Sequence, residues 1–525
     1  MWWRSAKARR LLGSPTSPKV MLLTLLPSPR YVADEHPALL PGAVRFSTRI
    51  GTVVDSSIGM IPFHPLLAAW PTVNYRLSRT ERRAEIPRVR LDVLGTAALP
   101  QDIGTSGPVS GWTARLDLWT PGLTLAEAVP LLMGPVTDAS RDRARGLVTL
   151  NATDGDPLSD ASLGGEAITA EDFPDAPDLV LDRARRQLIV GSIPDPIPCI
   201  QISHDGTHWY FMDRPTAIPP DRFWIGSEPA PLRDRPEVRF TPFPSDPARR
   251  YTELVFPRPV SESLQLGGVS AAGGVGLDAD PVTLLLQDVG GYRLSPQAVR
   301  DLATLRTSFN FSVFINAQTT VLQMVRDRLL PQTDLVMTFS MGRVHTYRLT
   351  PTYEPSRLLG PGMGLRDRLL QPHSPNIESV YNAIEVRYRR TTLPPTGDLL
   401  TRSALLIDRY SGGPMGAICA MSEQRYGRRF LSVEAADLVD EQGLPPGNHP
   451  ASVWRLGETL VRLHALPHRP VRYLSTWATA LDVQPDTPCQ LTDPAAELNA
   501  TPARVVDIAF PPSGPELMFE TEDAR

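Results

Sequence analysis

The chain has 525 residues, of which 42% are hydrophobic and 21% are charged; this is ordinary globular composition, but it is too much chain for a single core. Its formal net charge of -4 excludes the overall basic field that proteins use to hold nucleic acid. No stretch approaches the roughly 18 apolar residues of a membrane span. Proline is enriched, with 55 residues spread along the chain, which favours strands and irregular loops over long helices.

The first 43 residues are expected to form an N-terminal arm. Several basic residues precede a short apolar run at 20–26, a combination that imitates a signal peptide. The sequence PSPR follows this run at 27–30, in place of a small-residue cleavage site. We therefore expect residues 1–43 to be retained and not to direct export.

Alternation of apolar and polar residues is the dominant local pattern, and a period of two places one face of a strand against a core. Val89, Leu91 and Val93, for example, alternate with charged residues. Similar alternation occurs at 44–50, 113–118, 309–315 and 384–388. These segments predict half-buried antiparallel strands. The predicted fold class is mainly β with a few short helices, and α+β only in a minor part.

Four short helices are predicted. Ser295 is a good N-cap and Pro296 is tolerated at the first helical position, so a helix is expected from there to about residue 305. The other three are predicted at about 319–330, 433–439 and 451–463.

The second of these helices carries an apolar stripe. Leu322, Val325 and Leu329 have the spacing of one helical face, and we expect this face to pack on the sheet that contains residues 309–315. The following Pro331 should end the helix.

Two stretches rich in glycine and proline, 267–277 and 358–376, predict breaks between domains. We therefore divide the chain into four parts. They are an N-terminal arm at 1–43, a first β region at 44–255, a mixed helix-strand segment at 256–357 and a second β region at 358–525.

Two histidine pairs have spacings that could suit a metal ion, and both are better explained by local structure. Asp205-Gly206 lies between His204 and His208, and Asp-Gly between apolar runs is a hairpin turn signal. A proline between His464 and His468 breaks the helix that would align them. Neither pair is predicted to bind metal.

An acidic, glycine-containing cluster could coordinate calcium through carboxylate oxygens. It consists of Asn151, Asp154, Asp156 and Asp160. It lacks the closing glutamate of an EF-hand, which favours a solvated loop and leaves calcium binding by Asp154, Asp156 and Asp160 open.

The three cysteines do not indicate a metal site or a disulfide framework. Cys199, Cys419 and Cys489 lie far apart, with no C-x-x-C motif. We expect free, mostly buried thiols, which are compatible with assembly in a reducing cytoplasm.

Motifs of several enzyme classes are absent from the sequence. There is no G-x-S-x-G elbow, no H-E-x-x-H pair and no P-loop, since the chain has no lysine after Lys19. A Ser/His/Asp triad with members far apart in the chain stays open, because its residues need not be close in sequence. We predict no catalytic residues, no cofactor and no metal ligands.

A series of motifs in the C-terminal third resembles those of phage tail hub proteins. Residues 381–388 read YNAIEVRY and resemble a recurrent N-x-I/V-x-V-x-Y strand. Residues 422–427, SEQRYG, resemble an S-x-x-x-Y-G motif that precedes a short helix rich in Glu, Ala and Val. The predicted helix at 451–463 then leads to a strand at 470–473, as in that family.

The closing hairpins of the family have similar counterparts here. Residues 491–493 read LTD and residues 503–507 read ARVVD, similar to a G-D-x-V-x-L-T-D … R-V pattern. Pro485-Asp486 stands where Gly-Asp is usual. The resemblance covers roughly 285–520, and extends less specifically over 44–260.

The family it resembles is that of tailed-phage baseplate hub, or tail tip, proteins. The resemblance implies two related antiparallel β-barrel hub domains plus smaller accessory domains. Residues 44–255 would hold the first barrel with an inserted accessory β domain, and 358–525 the second. Residues 381–390 would form a central strand of that second barrel, with Ile384, Val386 and Tyr388 inward.

The resemblance also implies a function and a location. Such a chain is a virion structural protein, not an enzyme; it forms a homotrimeric ring that continues or closes the tail tube and organises the distal tail for DNA passage. It would be assembled in the host cytoplasm, with a distal tail or tail tube protein, a tape measure protein and other baseplate or receptor-binding proteins as partners. DNA would meet it only in transit, through a channel wall expected to be neutral or acidic.

Some relatives add parts that we do not expect here. A C-terminal peptidase or lysozyme has no room, since the chain ends about 15 residues after the last expected barrel strand. An iron-sulfur cluster on four cysteines is not expected either, because three scattered cysteines cannot supply that set.

Two other functions compete with this one. A receptor- or carbohydrate-binding β protein of the virion or cell surface is suggested by nine tryptophans, among them Trp112, Trp119, Trp209 and Trp224, although tryptophan is more often a core residue. A hydrolase with dispersed carboxylates is the other; it would show turnover that a single Asp or Glu substitution abolishes.

Overall fold

The computed structural model describes residues 5–27, 36–95, 109, 111–142, 144–155, 162–193, 197–213, 223–225, 228–229, 235–266, 269–270, 281–309, 311–315, 317–349, 357–370, 377–390, 401–439 and 449–522. Strand makes up 44% and helix 21% of the structure. The predicted fold class, mainly β with a few short helices, is therefore confirmed.

The strands follow in chain order. In the N-terminal part they are β1 (Val20–Leu26), β2 (Val44–Ser47), β3 (Val53–Ser56), β4 (Gly59–Pro62), β5 (Asn74–Ser78), β6 (Arg83–Ala84), β7 (Arg88–Leu94), β8 (Thr113–Trp119), β9 (Val129–Asp142) and β10 (Leu147–Thr153). In the middle they are β11 (Ser162–Leu163), β12 (Leu188–Ile193), β13 (Ile197–Pro198), β14 (Ile200–Gln201), β15 (His208–Met212), β16 (Phe223–Ile225), β17 (Glu228–Pro229), β18 (Glu237–Pro242), β19 (Arg250–Val255), β20 (Leu264–Leu266), β21 (Val269–Ser270), β22 (Ser312–Ile315), β23 (Thr319–Thr320), β24 (Leu335–Ser340) and β25 (Arg343–Arg348). In the C-terminal part they are β26 (Leu358–Pro361), β27 (Gly364–Leu370), β28 (Ala383–Arg390), β29 (Thr401–Ile407), β30 (Phe430–Val439), β31 (His468–Ser475), β32 (Pro488–Asp493), β33 (Leu498–Ala509) and β34 (Glu516–Glu522).

The helices are short. They are α1 (Ala6–Gly13), α2 (Pro281–Thr283), α3 (Pro296–Ser308), α4 (Gly413–Tyr426), α5 (Ala451–His464) and α6 (Trp477–Ala480). Two π-helical segments lie at Leu284–Val289 and Gln323–Leu329, and 3-10 turns lie at Pro37–Leu39, Leu125–Glu127, Leu330–Gln332, Ile377–Ser379 and Pro494–Ala496.

The first barrel is a six-stranded antiparallel half-barrel with the order β2-β1-β8-β9-β10-β7. Its two edges are bridged by the extended segment 64–68. The amide of Ser47, on β2, donates to the carbonyl of His64 at 2.7 Å, and the amide of Ala68 donates to the carbonyl of Asp92, on β7, at 2.7 Å. Backbone groups at both edges are thereby paired, which a lone sheet edge cannot achieve.

The second barrel is closed by strand pairing alone. Its six strands run in the order β32-β26-β27-β31-β34-β33, and β33 pairs back to β32 with Pro488 opposite Arg504. Strand β5, from the N-terminal part of the chain, adds to β33 at the outside of this ring. The two barrels share one hydrophobic core, which contains Leu116 of the first and Val505 of the second.

The predicted N-terminal arm at 1–43 does not stand apart from the first barrel. Strand β1 is fully buried and pairs with both β2 and β8. Seven consecutive apolar or small residues suit a strand that is covered on both faces. The apolar run at 20–26, which imitates a signal peptide, is therefore explained by its burial as a barrel strand. The helix α1 before it also contributes Ala8 and Leu12 to the shared core.

The predicted break at 358–376 is wrong for its first half. Residues 358–361 and 364–370 form β26 and β27, two strands of the closed barrel. The glycines make the tight turn between them, with Gly362 and Gly364 at φ of 80° and 88°, where a side chain would be strained. Residues 371–376 lie outside the described residues, as does most of the predicted 267–277 linker, in which Val269–Ser270 forms β21.

The strand predicted at 381–390 exists, but it is not part of the second barrel. It is β28, the central strand of a separate sheet with the order β29-β28-β30, packed against α4 and α5. The helix α4 lies between β29 and β30 and lets β30 run parallel to β28. The inward direction of Ile384, Val386 and Tyr388 is confirmed, since all three are buried.

Of the four predicted helices, two are confirmed with their details. The hydroxyl of Ser295 caps α3 by accepting from the amide of Ala298 at 3.1 Å. The helix α5 places the whole of its predicted apolar face inward, with Val453, Leu456, Leu460 and Leu463 buried.

The helix predicted at 433–439 is wrong, because these residues belong to strand β30. The helix α4 before it was not predicted, and the motif at 422–427 marks its end, with Gly427 at a φ of 73° as the residue that stops it. Ala-rich sequence at 433–439 suits a helix locally, but pairing with the buried strand β28 decides the outcome.

The helix predicted at 319–330 forms only after Thr319–Thr320, which make the short strand β23. Val325 and Leu329 are fully buried in a core that also contains Val313 of β22, whereas Leu322 is only partly buried. We expect Leu329→Ala to lower the free energy of unfolding by about 2–5 kcal/mol, and Leu322→Ala to lower it by less. Urea denaturation of both variants checks this, and a change below about 0.5 kcal/mol for Leu329→Ala would contradict the packing.

The remaining segments form accessory layers around a second large core. This core runs from Leu163 to Ala465 and includes buried residues of β12, α3, β24, β28 and α5. A smaller aromatic core, with Phe173, Tyr210 and Tyr251, lies beside the sheet β14-β15-β19-β18. The predicted boundary at 255 lies inside this core, between Leu254 and Phe256. The segments on the two sides of residue 357, which end at Val344 and begin at Leu359, belong to different cores.

Candidate functional site

The junction between the two barrels is held by strand pairing, hydrogen bonds and stacked aromatic rings. Tyr75 of β5 lies opposite Ile508 of β33, and its hydroxyl donates to the carbonyl of Leu131 on β9. The indole Nε1 of Trp70 donates to the carbonyl of Phe510 at 3.0 Å, and the ring of Trp477 stacks on Phe510 at 5.9 Å. A shared core with buried, satisfied polar groups makes the two barrels one unit.

A buried ion cluster fixes the same junction. Arg79, directly after β5, lies 3.3 Å from the carboxylate of Asp486, and Arg504 of β33 contacts the same carboxylate at 3.3 Å. All three residues are buried. Asp486 has a φ of 66°, the left-handed conformation in which aspartate is tolerated better than most residues. Its carboxylate neutralises two arginines, a role that the local sequence Pro485-Asp486 does not predict.

A second buried cluster lies on β8. Asp117 is fully buried and accepts from Arg115 Nη2 at 2.9 Å, while His36 Nε2 lies 3.1 Å from its other oxygen. Burial by itself would raise the pKa of Asp117, but Arg115 and His36 outweigh it and hold the pKa well below its usual range. Residues 113–118 were predicted to be half-buried; every residue of β8 is buried, because this pair lets the polar face be covered as well.

Asp154 does not lie in a solvated loop, as its sequence neighbourhood suggested. It is buried at the end of β10, where its two carboxylate oxygens accept from the amides of Met341 and Gly342 at 3.1 and 3.0 Å. These amides form the turn between β24 and β25, so Asp154 attaches that hairpin to the first barrel. Asp156 and Asp160, the other members of the predicted calcium cluster, lie outside the described residues.

The environment of Asp154 shifts its titration. Burial raises its pKa to about 7, although backbone amides of Gly342, Met341, Met133 and Gly155 oppose this by donating to it. The titratable groups that face it are the phenols of Tyr75 and Tyr347, whose pKa values are raised by burial and by the carboxylate itself.

A pH dependence follows from this shift. Because the folded pKa is raised above the unfolded value of about 3.9, the folded state binds the extra proton between the two values, and the stability from Asp154 should fall as pH rises through this window. Between pH 5 and pH 7 we expect a loss of about 2 kcal/mol. Urea denaturation at several pH values checks this, and an Asp154→Asn variant with the same pH dependence as the original would contradict it.

The hairpin turn predicted at 204–208 is confirmed. Strands β14 and β15 flank it, and Gly206 adopts a φ of 73°. Hydrogen bonds from Ser203 and Thr207 lower the pKa of Asp205 to about 2. The imidazole of His208 contacts Glu253, whose carboxylate lies 2.8 Å from Nδ1.

His464 and His468 belong to the end of α5 and the start of β31. His464 is buried, and its pKa is lowered to about 4, first by burial and then by Arg82 and His468. His468 Nε2 lies 2.7 Å from the carbonyl of Leu463. In the described part of the chain no group of three or more His, Cys, Asp or Glu side chains is arranged to hold a metal ion.

The cysteines are free and buried, as expected. Burial raises the pKa of Cys419 to about 11 and that of Cys489 to about 12, and it raises the pKa of Cys199 as well. Thiols with raised pKa values in apolar surroundings are inert as nucleophiles.

Two of the tryptophans that suggested a sugar-binding surface are core residues. Trp119 donates through Nε1 to the carbonyl of Leu123 at 2.8 Å, and Trp209 donates to that of Gly206 at 2.9 Å. Both side chains are buried. The side chain of Trp224 lies outside the described residues.

The accessory layers are held by further buried carboxylates. Asp437 of β30 accepts from Arg328 at 2.7 and 2.8 Å, and Asp334 accepts from Arg455 of α5 at 2.9 Å. Such charge-assisted bonds hold the elements in one arrangement. Among the described helices, none combines the length and the apolar character needed to cross a membrane.

Solved structures with a likeness to this chain include prophage tail proteins. The 43 kDa tail protein of prophage MuSo2 from Shewanella oneidensis is 10% identical, with a TM-score of 0.36, and the likeness covers 86% of this chain and 94% of that one. Prophage tail protein gp18 from Listeria monocytogenes EGD-e is 8% identical, with a TM-score of 0.36 and coverage of 95% and 94%. A chain of the native gene transfer agent virion is 14% identical, with a TM-score of 0.21 and coverage of 50% and 84%. No protein-family model matches the chain, and no curated protein matches it.

Proposed function

We propose that this chain is a structural protein of a tailed-phage virion, a baseplate hub or tail tip subunit that assembles as a homotrimeric ring on the tail axis. The observation that carries the proposal is the architecture of the chain itself. Two six-stranded barrels lie in one polypeptide, joined through β5 and one core. Strands β11 to β25 of the accessory layers lie in the chain between the two barrels, and β28 to β30 with α4 and α5 are inserted between β27 and β31 of the second barrel. This is the arrangement that the resemblance to hub proteins implies.

The number of barrels supports the trimer. Three chains with two barrels each present six similar surfaces, which match a tail tube with six-fold symmetry. Closed cyclic symmetry pairs every subunit interface and leaves no open end. The rigid junction suits this role, because Asp486 and the shared core hold the two barrels in one geometry.

In this proposal the ring continues or closes the tail tube and lets DNA pass. Its neighbours are a distal tail or tail tube protein, a tape measure protein and other baseplate or receptor-binding proteins, all assembled in the host cytoplasm. The chain has a net charge of -4, and the channel wall is neutral or acidic, because an arginine-lined bore would retain phosphates. The part played by the chain is structural and not catalytic.

The oligomeric state tests the trimer. The chain has a mass of 57.7 kDa, and sedimentation velocity of the purified full-length protein should give a species of three chains. A protein that stays monomeric at all concentrations, or that forms only a two-fold dimer, would contradict the ring.

A further inference from the structure

The hairpin β3–β4 carries an uncovered apolar surface. Ile50, in the turn before it, is 85% exposed, Ile58 at its tip is 68% exposed and Met60 on β4 is 65% exposed. No other described segment exposes large aliphatic side chains to this extent so close together in sequence. Apolar side chains grouped in this way mark a contact surface.

The register of the hairpin shows that only one of its faces is used within the chain. Val54 lies opposite Ile61, and both are buried on the side where β3 contacts the turn Leu125–Glu127. The opposite face pairs Val53 with Pro62 and Asp55 with Met60. Hence both faces are mainly apolar, but only one is packed.

The hairpin is anchored by its inner face, where Val54 and Ile61 belong to the core shared by the two barrels. Its two strands pair with each other in a sheet of their own, apart from the six strands of the first barrel. Strand β3 also forms a bridge from Asp55 to Thr124. Covering the exposed outer face would remove its apolar area from water.

The second barrel exposes a complementary surface on β26 and β27. Leu358 is 49% exposed and Met363, in the turn between the strands, is 42% exposed. The exposed pair Arg366 and Asp367 follows on β27. The hairpin together with the turn before it, residues 49–62, carries one cation, Arg49, and one anion, Asp55. The two surfaces therefore match in apolar character and can match in charge.

We propose that the β3–β4 hairpin of one chain docks on the β26–β27 surface of a second copy of the same chain. This inference rests on the proposed ring, and it names the contact that builds it. A ring of identical subunits needs two different, complementary surfaces on each subunit. Here the first barrel supplies one surface and the second barrel supplies the other, so barrels of the two kinds alternate around the axis.

The charge content argues for a copy of the chain as the occupant. With one charged residue of each sign, residues 49–62 have no net charge to attract nucleic acid or a strongly charged partner. The exposed apolar side chains of the hairpin need an apolar surface to cover them. Each chain carries one hairpin and one β26–β27 surface, so the two occur in equal number in a ring. In a closed ring every hairpin and every such surface is then covered.

Substitution at the hairpin tip tests the contact. In the full-length protein, Ile58→Asp should lower the fraction of assembled protein at least tenfold by sedimentation velocity, with an unchanged circular dichroism spectrum. Leu179→Asp is the matched control, since Leu179 is 75% exposed in an accessory layer; it should assemble like the original protein. Equal assembly of Ile58→Asp and Leu179→Asp would overturn the proposal.

A mixing experiment identifies the occupant. Leu358→Asp should also block assembly, but a mixture with Ile58→Asp restores one intact contact, between the hairpin of the former and the β26–β27 surface of the latter. We expect a 1:1 dimer that neither variant forms alone. A mixture that stays monomeric would overturn the docking. Variants that self-assemble normally but fail to enter particles would also overturn it, because the hairpin would then contact a different virion protein.

Failure of this inference is distinguishable from failure of the proposed function. If Ile58→Asp assembles normally and rings are present on the tail axis, the hairpin contact is wrong and the hub proposal stands. If the original protein is absent from the tail, the hub proposal itself fails.

Discussion

Replacing Ile384 with aspartate is expected to prevent the chain from folding. Ile384 is fully buried on β28, the central strand of its sheet, and it belongs to the large accessory core. A carboxylate at this position would be surrounded by apolar side chains without a partner, which costs more than about 4 kcal/mol. Soluble yield and circular dichroism of the purified protein measure the result.

The neighbouring residue provides the control. Glu385 points to the opposite face of β28, where its carboxylate accepts from Arg387 at 2.6 Å and from Ser432 at 2.8 Å. Glu385→Gln should fold normally and change the free energy of unfolding by less than about 1 kcal/mol, because exposed ion pairs contribute little. Equal solubility of Ile384→Asp and Glu385→Gln would show that the register of β28 is wrong.

Replacing Asp117 with asparagine should destabilise the first barrel strongly. The change keeps the shape of the side chain but removes the charge that compensates Arg115, which is itself buried. Leaving one member of a buried ion pair without its partner costs about 3–5 kcal/mol. The midpoint of urea denaturation at pH 7 measures the loss.

A matched control lies on β7. Arg90 and Asp92 have the same spacing as Arg115 and Asp117 and a similar distance, 3.0 Å, but their pair is exposed. Asp92→Asn should therefore change the free energy of unfolding by less than about 1 kcal/mol. Losses of equal size in the two variants would show that burial of Asp117 is not the cause.

The effect of Asp117→Asn should also depend on pH. The pKa of Asp117 is lowered in the folded state, so its contribution is present above the unfolded value of about 3.9 and is lost as pH falls toward the folded value. The difference between the original protein and the variant should shrink in acid below about pH 4. A constant difference would contradict the lowered pKa.

Much of the fold was predictable because alternation and helix signals act locally. The period-two pattern at Val89, Leu91 and Val93 correctly predicts one buried face of β7, and the Ser-Pro signal before α3 correctly places its start. Likewise, Asp205-Gly206 predicts its hairpin because both residues tolerate the turn conformation.

What failed depends on contacts between distant segments. Strand β1 reads as an isolated apolar run, and only its pairing with β8, about ninety residues later, makes it a barrel strand. The insertion of β28 into an accessory sheet is set by α4 and β30, and nothing in the strand itself distinguishes this from a barrel position.

The buried charges in and beside the first barrel were missed for a related reason. Arg115 and Asp117 alternate with apolar residues and therefore resemble a solvated face, although they neutralise each other inside the protein. Asp154 lies in an acidic, glycine-containing stretch that reads as a solvated loop. It is buried because its carboxylate accepts from the amides of the Met341-Gly342 turn, nearly two hundred residues away in the chain. The same spacing of arginine and aspartate occurs at Arg90 and Asp92 on β7, where the pair is exposed, so the local pattern alone does not reveal that Asp117 is buried.

Imaging the assembled particle by electron cryomicroscopy tests the central proposal most directly. We expect three copies of the chain around the axis at the distal end of the tail, with the six barrels forming a ring and the accessory layers outside it. A single copy on the exterior of the particle, away from the tail axis, would contradict the hub.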